Sequence, residues 1–300
     1  MNLIALLLGL GIERLFTRSF HLREARWLDP LLDEVLRRVV NSSQATTTLA
    51  LIVLAAVIVL PIALISVLLA DLLLQIPYFL FAIVVLLFSL GPRDLKEEVD
   101  DYCTAVENND VDNVRRVARE LLEEEAPGDA EEQTHRVERA IYVQANNRIF
   151  GVVFWFLLLG PTGAWLFRVL DLMRHGITYR HDRQEEQPIN TTIIGAVRTL
   201  HGILAYLPAR LLAVGYALAG SFEDAISDWS VYYRQPALRF YERSNDVVGC
   251  VGLGAGGHAR QSQDQTAAAR VRGAMNLVIR TLWLIWCPVI AILTLFDLLT

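Results

Sequence analysis

The chain has 300 residues, of which 54% are hydrophobic, and its formal net charge is −6. This composition excludes an ordinary soluble domain, which has less apolar sequence and no uncharged segments of bilayer length. The negative charge argues against nucleic acid as a partner, because phosphate binding requires a basic surface. The three cysteines are widely separated and show no CxxC or Cys/His spacing, so the sequence supports neither a disulfide framework nor a zinc site.

The N-terminus begins with an apolar segment, residues 2–12, that ends at Glu13 and Arg14. We expect a retained membrane segment, since it lacks the basic n-region and the small-residue cleavage site of a signal peptide. Glu13 either lies inward, paired with an arginine, or reaches the membrane surface. The arginine-rich residues 17–44 contain apolar positions at helical spacing and predict an amphipathic helix near that surface.

Two uncharged segments, residues 46–70 and 72–90, predict a transmembrane hairpin. The flanking segments 14–44 and 91–148 contain six and eight Arg or Lys residues, and the turn of the hairpin contains none. The positive-inside rule therefore places both flanking segments in the cytoplasm. Residues 93–147 predict a soluble helical insertion rich in acidic residues, which is either a solvated face or a docking surface for a partner.

The most informative segment is residues 146–167, in which Asn146, Asn147 and Arg148 precede an uncharged run. Residues 149–167 are long enough to cross a bilayer, with a break expected at Gly160-Pro161. Polar groups at the end of a membrane helix indicate that they bind a polar ligand or group. The alternative is that Arg148 only reaches lipid headgroups.

The C-terminal half alternates polar and apolar segments. Residues 168–192 predict a polar loop that includes Arg180, and residues 193–219 an apolar helix interrupted by Arg198, His201 and Arg210. Such a helix must turn its ionisable face to a bundle interior, a cavity or the interface. Residues 221–274 predict a second polar loop, and residues 281–296 the last membrane segment.

The glycines of the second loop formally satisfy the GxGxxG pattern through Gly252, Gly254 and Gly257. No strand precedes them and no βαβ unit surrounds them, so a dinucleotide site is not indicated. We expect a flexible loop that lies close to another part of the backbone.

No motif for a nucleophile and base, a phosphate-binding loop or a metal site is present, so we predict no catalytic residue, no metal and no cofactor. The polar residues that stand out are cationic or neutral. This favours an anionic ligand such as a phosphate or a carboxylate over Mg²⁺. The candidate ligand-binding residues are Glu13, Asn146, Asn147, Arg148, Arg180, Arg198, His201, Tyr206, Arg210 and Asn245.

Three stretches carry a family resemblance: ANNRIFGVVFWFLLLGPTGAWLFRVLDLM at 145–173, AYLPARLLAVGYALAG at 205–220 and SNDVVGCVGLGAGG at 244–257. Together with the opening LIALLLGLGIERLF, they make the chain similar to AmpE within the CobD/CbiB superfamily. The resemblance implies a multi-pass inner-membrane protein of a Gram-negative bacterium that modulates β-lactamase induction. AmpE is encoded beside a cytosolic amidase that recycles anhydromuropeptides.

The chain departs from the CbiB branch, which joins an aminopropanol moiety to a cobamide precursor. Acidic residues of that branch correspond here to Val143 and Asn147, its Asp pair to His201 and Gly202, and an N-terminal Asp to Glu13. Glu13 keeps a carboxylate, but Val143, Asn147, His201 and Gly202 do not, and the loss of carboxylates at several positions argues against nucleotide–metal chemistry.

The sequence thus predicts an all-α polytopic membrane protein with a soluble helical cytoplasmic insertion. The predicted parts are residues 1–92, the insertion 93–147 and a membrane domain 148–300. We favour a non-catalytic signalling modulator that binds the lipid bilayer and either an anionic cell-wall metabolite or a cytosolic muropeptide amidase. The alternatives are a membrane enzyme with CbiB-like chemistry and a muropeptide transporter, although the absence of an internal repeat weakens the latter.

Overall fold

The structure is a computed structural model and describes residues 34, 43–70, 76–90, 95–182, 191–234, 242–257 and 266–292. Within these ranges every regular element is a helix, which confirms the predicted all-α class. Predictions for residues 2–12, for Glu13 and for nearly all of residues 17–44 lie outside the described residues.

Five of the described helical segments are long and apolar enough to cross a membrane, which confirms a polytopic membrane architecture. The predicted hairpin corresponds to α1, Gln44–Ala70, and α2, Ile76–Leu90. The five segments are Gln44–Leu69, Ile76–Glu107, Ala130–Ile177, Thr192–Ala219 and Ala267–Ile292.

The predicted insertion contains three helices: α3, Leu95–Glu107; α4, Val111–Leu122; and α5, Ala130–Gln144. Asp110 caps α4, and Asp129 caps α5 by accepting a hydrogen bond from the Glu132 backbone N–H at 2.8 Å. These caps satisfy backbone donors that the first helical turn leaves without a partner. Hydrogen bonds from Asn113 lower the pKa of the Asp110 carboxyl.

A π-helical turn, Ala145–Phe150, connects α5 to the long helix α6, Gly151–Asp182. Gly160 has φ 66° and ψ −152°, so the predicted break at Gly160-Pro161 is present. The predicted polar loop at 168–192 requires correction, because α6 continues to Asp182. The charged residues that suggested a loop form ion pairs with one another along one face of α6.

The remaining helices are α7, Thr191–Ala219; α8, Phe222–Arg234; α9, Glu242–Ala255; and α10, Ala267–Thr281. A second π-helical turn, Leu282–Trp286, follows α10, and the helix continues to residue 292. The prediction of a polar loop at 221–274 was therefore wrong for the stretches that form α8, α9 and the start of α10. α9 and the start of α10 bury apolar residues against other helices, whereas α8 buries only Ala225. The polar residues of these helices had dominated the local composition.

The glycines of the GxGxxG pattern lie in and just after α9, so the predicted flexible loop is a helix there. The close approach is present: a Cβ added to Gly252 would overlap Cγ of Tyr142 on α5. A Cβ on Gly254 would lie 3.0 Å from the carbonyl oxygen of Asp224 on α8. Gly252, Gly254 and Gly256 thus act as packing positions between helices.

The chain divides into two compact units, each built from segments that are distant in sequence. Unit 1 comprises Met1–Pro92 and Asn147–Leu204; unit 2 comprises Arg93–Asn146 and Ala205–Thr300. The predicted insertion therefore shares a unit with the C-terminal helices.

In unit 1, helices α1, α6 and α7 share a buried apolar core. The Trp165 indole Nε1–H donates to the Ile58 carbonyl at 3.4 Å, and the Trp155 indole to the Leu204 carbonyl at 3.1 Å. The core residues are Leu51, Leu54, Ala55, Val59, Val169, Leu170, Met173, Ile177, Ile193, Ile194, Ala196 and Val197.

In unit 2, α5 packs against α9 and α10, and α3 packs against α4 and α10. Tyr216 of α7 is fully buried, and its hydroxyl donates to the Tyr142 carbonyl at 3.3 Å. The buried Arg270 of α10 forms an ion pair with Glu138 of α5. Unit 2 therefore combines apolar packing with long-range ion pairs.

Candidate functional site

The break at Gly160 positions a cluster of charged side chains in unit 1. A backbone with φ 66° and ψ −152° is accessible essentially only to glycine, and Pro161 then fixes the start of a new helical segment. Arg168, Asp171 and Arg174 follow on that segment at three-residue intervals, so they share one face of the helix.

Asp171 is the centre of this cluster. Its carboxylate accepts a hydrogen bond from Arg168 Nη1 at 3.0 Å and from Arg174 Nη2 at 2.9 Å. The Asp171 side chain is 6% exposed, that of Arg168 is 8% exposed and that of Arg174 is 11% exposed. Burial on this scale requires such pairing, because isolated charges are strongly disfavoured away from water.

His201 of α7 joins the cluster from a second helix. Its Nε2 lies 3.6 Å from Asp171 Oδ1, and its ring centroid lies 5.3 Å from that of Phe167. Arg198, three residues earlier on α7, is half-buried and forms no salt bridge in the part of the chain that the structure describes. We refer to Arg168, Asp171, Arg174 and His201 as the Asp171 cluster.

The chemistry of the Asp171 cluster suits an oxyanion. Two guanidinium groups and one carboxylate share the site with an imidazole, and the guanidinium fork matches carboxylate and phosphate geometry. In the described ranges, no group of three or more His, Cys, Asp or Glu side chains has a geometry that could hold a metal ion.

Three of the four cluster residues were missed by the sequence-based prediction. Arg168, Asp171 and Arg174 lay in the stretch assigned to a polar loop. Their spacing directly after Phe167 is the signal that could have identified them, because charges at three-residue intervals predict a helix face.

The other predicted residues of unit 1 lie around the start of α6 or outside the described region. Asn147 is 1% exposed and Arg148 is half-buried in the π-helical turn. Arg180 lies in the last turns of α6, and Glu13 lies outside the described residues. Of the predicted set, the structure brings His201 into the Asp171 cluster and places Arg198 on the same helix.

Four predicted residues belong to unit 2: Asn146, Tyr206, Arg210 and Asn245. Arg210 stacks 3.5 Å above the Tyr206 ring, and its Nη1 donates to the Tyr206 carbonyl at 3.0 Å. Asn245 is half-buried on α9, and Asn146 is fully buried in the π-helical turn. The structure thus divides the nine predicted residues that it describes between two units.

Comparison with known proteins gives one family and two relatives. A family described as "Regulatory signalling modulator protein AmpE" matches residues 1–299. A "Cobalamin biosynthesis protein CobD" of Stutzerimonas stutzeri is 29% identical over 152 residues, covering 50% of this chain and 48% of the relative.

A second protein with that description, from Chromobacterium violaceum, is 26% identical over 187 residues, covering 59% of this chain and 56% of the relative. The chain therefore spans about half the length of these curated relatives. No solved structure matches the chain.

Proposed function

The chain belongs to the AmpE family of regulatory signalling modulator proteins, and from this premise we propose that it modulates β-lactamase induction at the bacterial inner membrane. The observation that carries the proposal is the family match over residues 1–299, which covers nearly the whole chain. The five helices that can cross a membrane are consistent with a multi-pass protein in that location.

We also propose that the modulator responds to an anionic metabolite of cell-wall recycling that binds at the Asp171 cluster. Asp171 holds Arg168 and Arg174 in place, and His201 reaches the cluster from α7. The proposed site also includes Arg198, because it lies three residues before His201 and shares its face of α7. A carboxylate or phosphate group on the metabolite would engage these groups through charge-assisted hydrogen bonds. A cytosolic muropeptide amidase is the protein partner that we propose for the same pathway.

The CobD relatives do not favour a cobamide-forming enzyme as a second function. They match at 29% and 26% identity, and only about half of their length is covered. The family match, by contrast, covers residues 1–299. The regulatory function is therefore the one that we propose.

The proposal is tested by complementation in a strain with inducible β-lactamase and a disrupted gene for this protein. Wild type is expected to restore the induction profile, and Arg198→Gln to reduce the response. A lost charge-assisted hydrogen bond weakens ligand binding about 10- to 100-fold, from roughly 1.5–3 kcal/mol.

The matched control is Arg115→Gln, since Arg115 is an exposed arginine on α4. It removes the same charge and should leave induction unchanged. Full complementation by Arg198→Gln at normal membrane levels would exclude the ligand site. A gene disruption that leaves induction unchanged would exclude the regulatory function itself. Mass spectrometry of metabolites that co-purify with the protein would identify the ligand.

A further inference from the structure

A buried arginine in unit 2 has a donor that the fold leaves without an acceptor. Arg270 of α10 is 6% exposed, and its Nε donates to Glu138 Oε1 at 2.7 Å. Its Nη1 donates to Glu131 Oε1 at 2.5 Å. Its Nη2 is buried and has no hydrogen-bond partner among the residues that the structure describes.

The two carboxylates that bind Arg270 differ in their surroundings. The Glu138 side chain is 4% exposed, whereas the Glu131 side chain is 69% exposed. Glu138 therefore anchors the guanidinium inside the unit, and Glu131 covers its outer edge from the solvent side. Because the Glu131 carboxylate is mostly in contact with water, an oxyanion that takes its place at the buried guanidinium leaves the Glu131 side chain hydrated and keeps the Arg270 charge paired.

At the outer edge of the guanidinium, Nη1 donates a hydrogen bond to a described residue and Nη2 does not. A planar guanidinium can donate two parallel hydrogen bonds from neighbouring nitrogens to one oxyanion, but Glu131 accepts only from Nη1. A buried donor without an acceptor costs free energy of folding. A ligand that accepts hydrogen bonds from both Nη1 and Nη2 would remove this cost.

Arg270 and its partner Glu131 each lie at the start of a helix, and this position favours an anion. Glu131 lies in the first turn of α5, and Arg270 lies in the first turn of α10. Thr266 caps α10, since its Oγ1 accepts a hydrogen bond from the Ala269 backbone N–H at 3.3 Å. Helix N-termini carry partial positive charge and favour negatively charged groups.

We propose that Arg270 is a receptor for an oxyanion, either a carboxylate or a phosphate, and that Glu131 is the internal competitor for the same guanidinium. The oxyanion displaces Glu131 and accepts hydrogen bonds from Nη1 and Nη2, while Glu138 keeps Nε in place. This site belongs to unit 2 and does not depend on the function proposed for the Asp171 cluster.

The experiment compares anion-dependent thermal stabilisation of the purified full-length protein in detergent. Inorganic phosphate and acetate are titrated separately at constant ionic strength, with chloride as the reference anion. Glu131→Ala removes the competitor and is expected to bind the effective anion about tenfold more tightly than wild type, the factor that corresponds to about 1.4 kcal/mol, near the lower end for a hydrogen bond between charged groups.

The matched control is Glu132→Ala. Glu132 is the neighbouring residue, is 52% exposed and pairs with Arg136 at 2.7 Å, so its removal changes the local charge equally without uncovering Arg270. We expect this variant to bind the anion as wild type does. In the Glu131→Ala background, Arg270→Lys keeps the charge beside Glu138 but removes the fork and should abolish the gain.

A response to phosphate alone supports a phosphate ligand, and an equal response to acetate supports a carboxylate. The proposal is overturned if Glu131→Ala and Glu132→Ala show the same affinity. That comparison holds even if Arg270→Lys does not fold. Neither result depends on β-lactamase induction, so failure here and failure of the proposed function are distinguishable.

Discussion

Gly160 shows how one residue determines the path of a membrane helix. Its φ of 66° with ψ −152° lies in a region that side chains with a Cβ rarely adopt. The segment that follows carries Arg168, Asp171 and Arg174 on one face. The conformational freedom of this glycine therefore places the charged cluster.

Replacement of Gly160 by alanine should destabilise the protein by about 1–3 kcal/mol, because the backbone must hold a strained conformation or change its path. The measurement is thermal unfolding of the purified protein in detergent. Gly195→Ala is the control, since a Cβ at Gly195 meets nothing within 4 Å. Alanine there should be neutral or stabilising by up to about 1 kcal/mol. Equal effects of both variants would contradict the role of the Gly160 conformation.

Asp171 illustrates why the surroundings of a charge matter more than its type. It is shared by two buried guanidinium groups, whereas Asp100 forms an i,i+4 pair with Lys96 at the surface, with both side chains more than half exposed. Removal of a buried partner leaves uncompensated charge, but removal of an exposed one leaves a solvated side chain.

We therefore expect Asp171→Asn to cost about 3–5 kcal/mol and Asp100→Asn less than about 1 kcal/mol. Denaturation of the two variants in the same detergent provides the comparison. A small effect of Asp171→Asn would show that Asp171 does not hold the arginines in place.

At the scale of elements, α9 and α5 approach through glycines. Gly252 faces the Tyr142 ring, and Gly249 faces the aliphatic part of Arg139, with a Cβ at Gly249 2.7 Å from Arg139 Cγ. Arg139 also forms an ion pair with Asp246 at the same interface. The glycine-rich stretch is therefore a helix-packing surface, and its resemblance to a nucleotide-binding pattern has no structural counterpart in α9.

Gly252→Ala should destabilise unit 2 by about 1–3 kcal/mol, because the added methyl group would overlap the Tyr142 ring. Gly273→Ala on α10 is the control, since a Cβ there meets no atom within 4 Å. Thermal unfolding of both variants tests the difference. If Gly252→Ala is as stable as wild type, α9 does not pack against α5 as closely as described.

At the scale of the whole molecule, the distribution of positive charge predicts which side of the membrane each segment faces. Segments 14–44 and 91–148 carry six and eight Arg or Lys residues, so the positive-inside rule places α3 to α5 in the cytoplasm. Cysteine labelling of intact cells tests this orientation directly.

The native Cys103, Cys250 and Cys287 are first replaced by alanine. Asp112→Cys, at an exposed position of α4, should react with an impermeant maleimide only after the membrane is permeabilised. Asp71→Cys, in the sequence-predicted turn between the first two spans, should react in intact cells. The opposite labelling pattern would invert the predicted topology.

The sequence by itself determined the membrane segments and the break in α6. Long uncharged runs such as residues 46–70 have no stable alternative to a helix in lipid, because every backbone polar group must be satisfied within the segment. Gly160-Pro161 is likewise a local signal, and so is the cap that Asp129 provides for α5. Each of these depends on neighbouring residues only.

Only the tertiary structure decided how the polar segments fold and which charges meet. Residues 168–182 and α8–α9 read as loops, but the structure shows helices in which Asp171 lies near His201 of α7 and Asp246 pairs with Arg139 of α5. Arg270 meets Glu138 across 132 positions, and Arg139 meets Asp246 across 107. No local spacing encodes such pairs, because the fold must first bring the helices together before one charge can stabilise another.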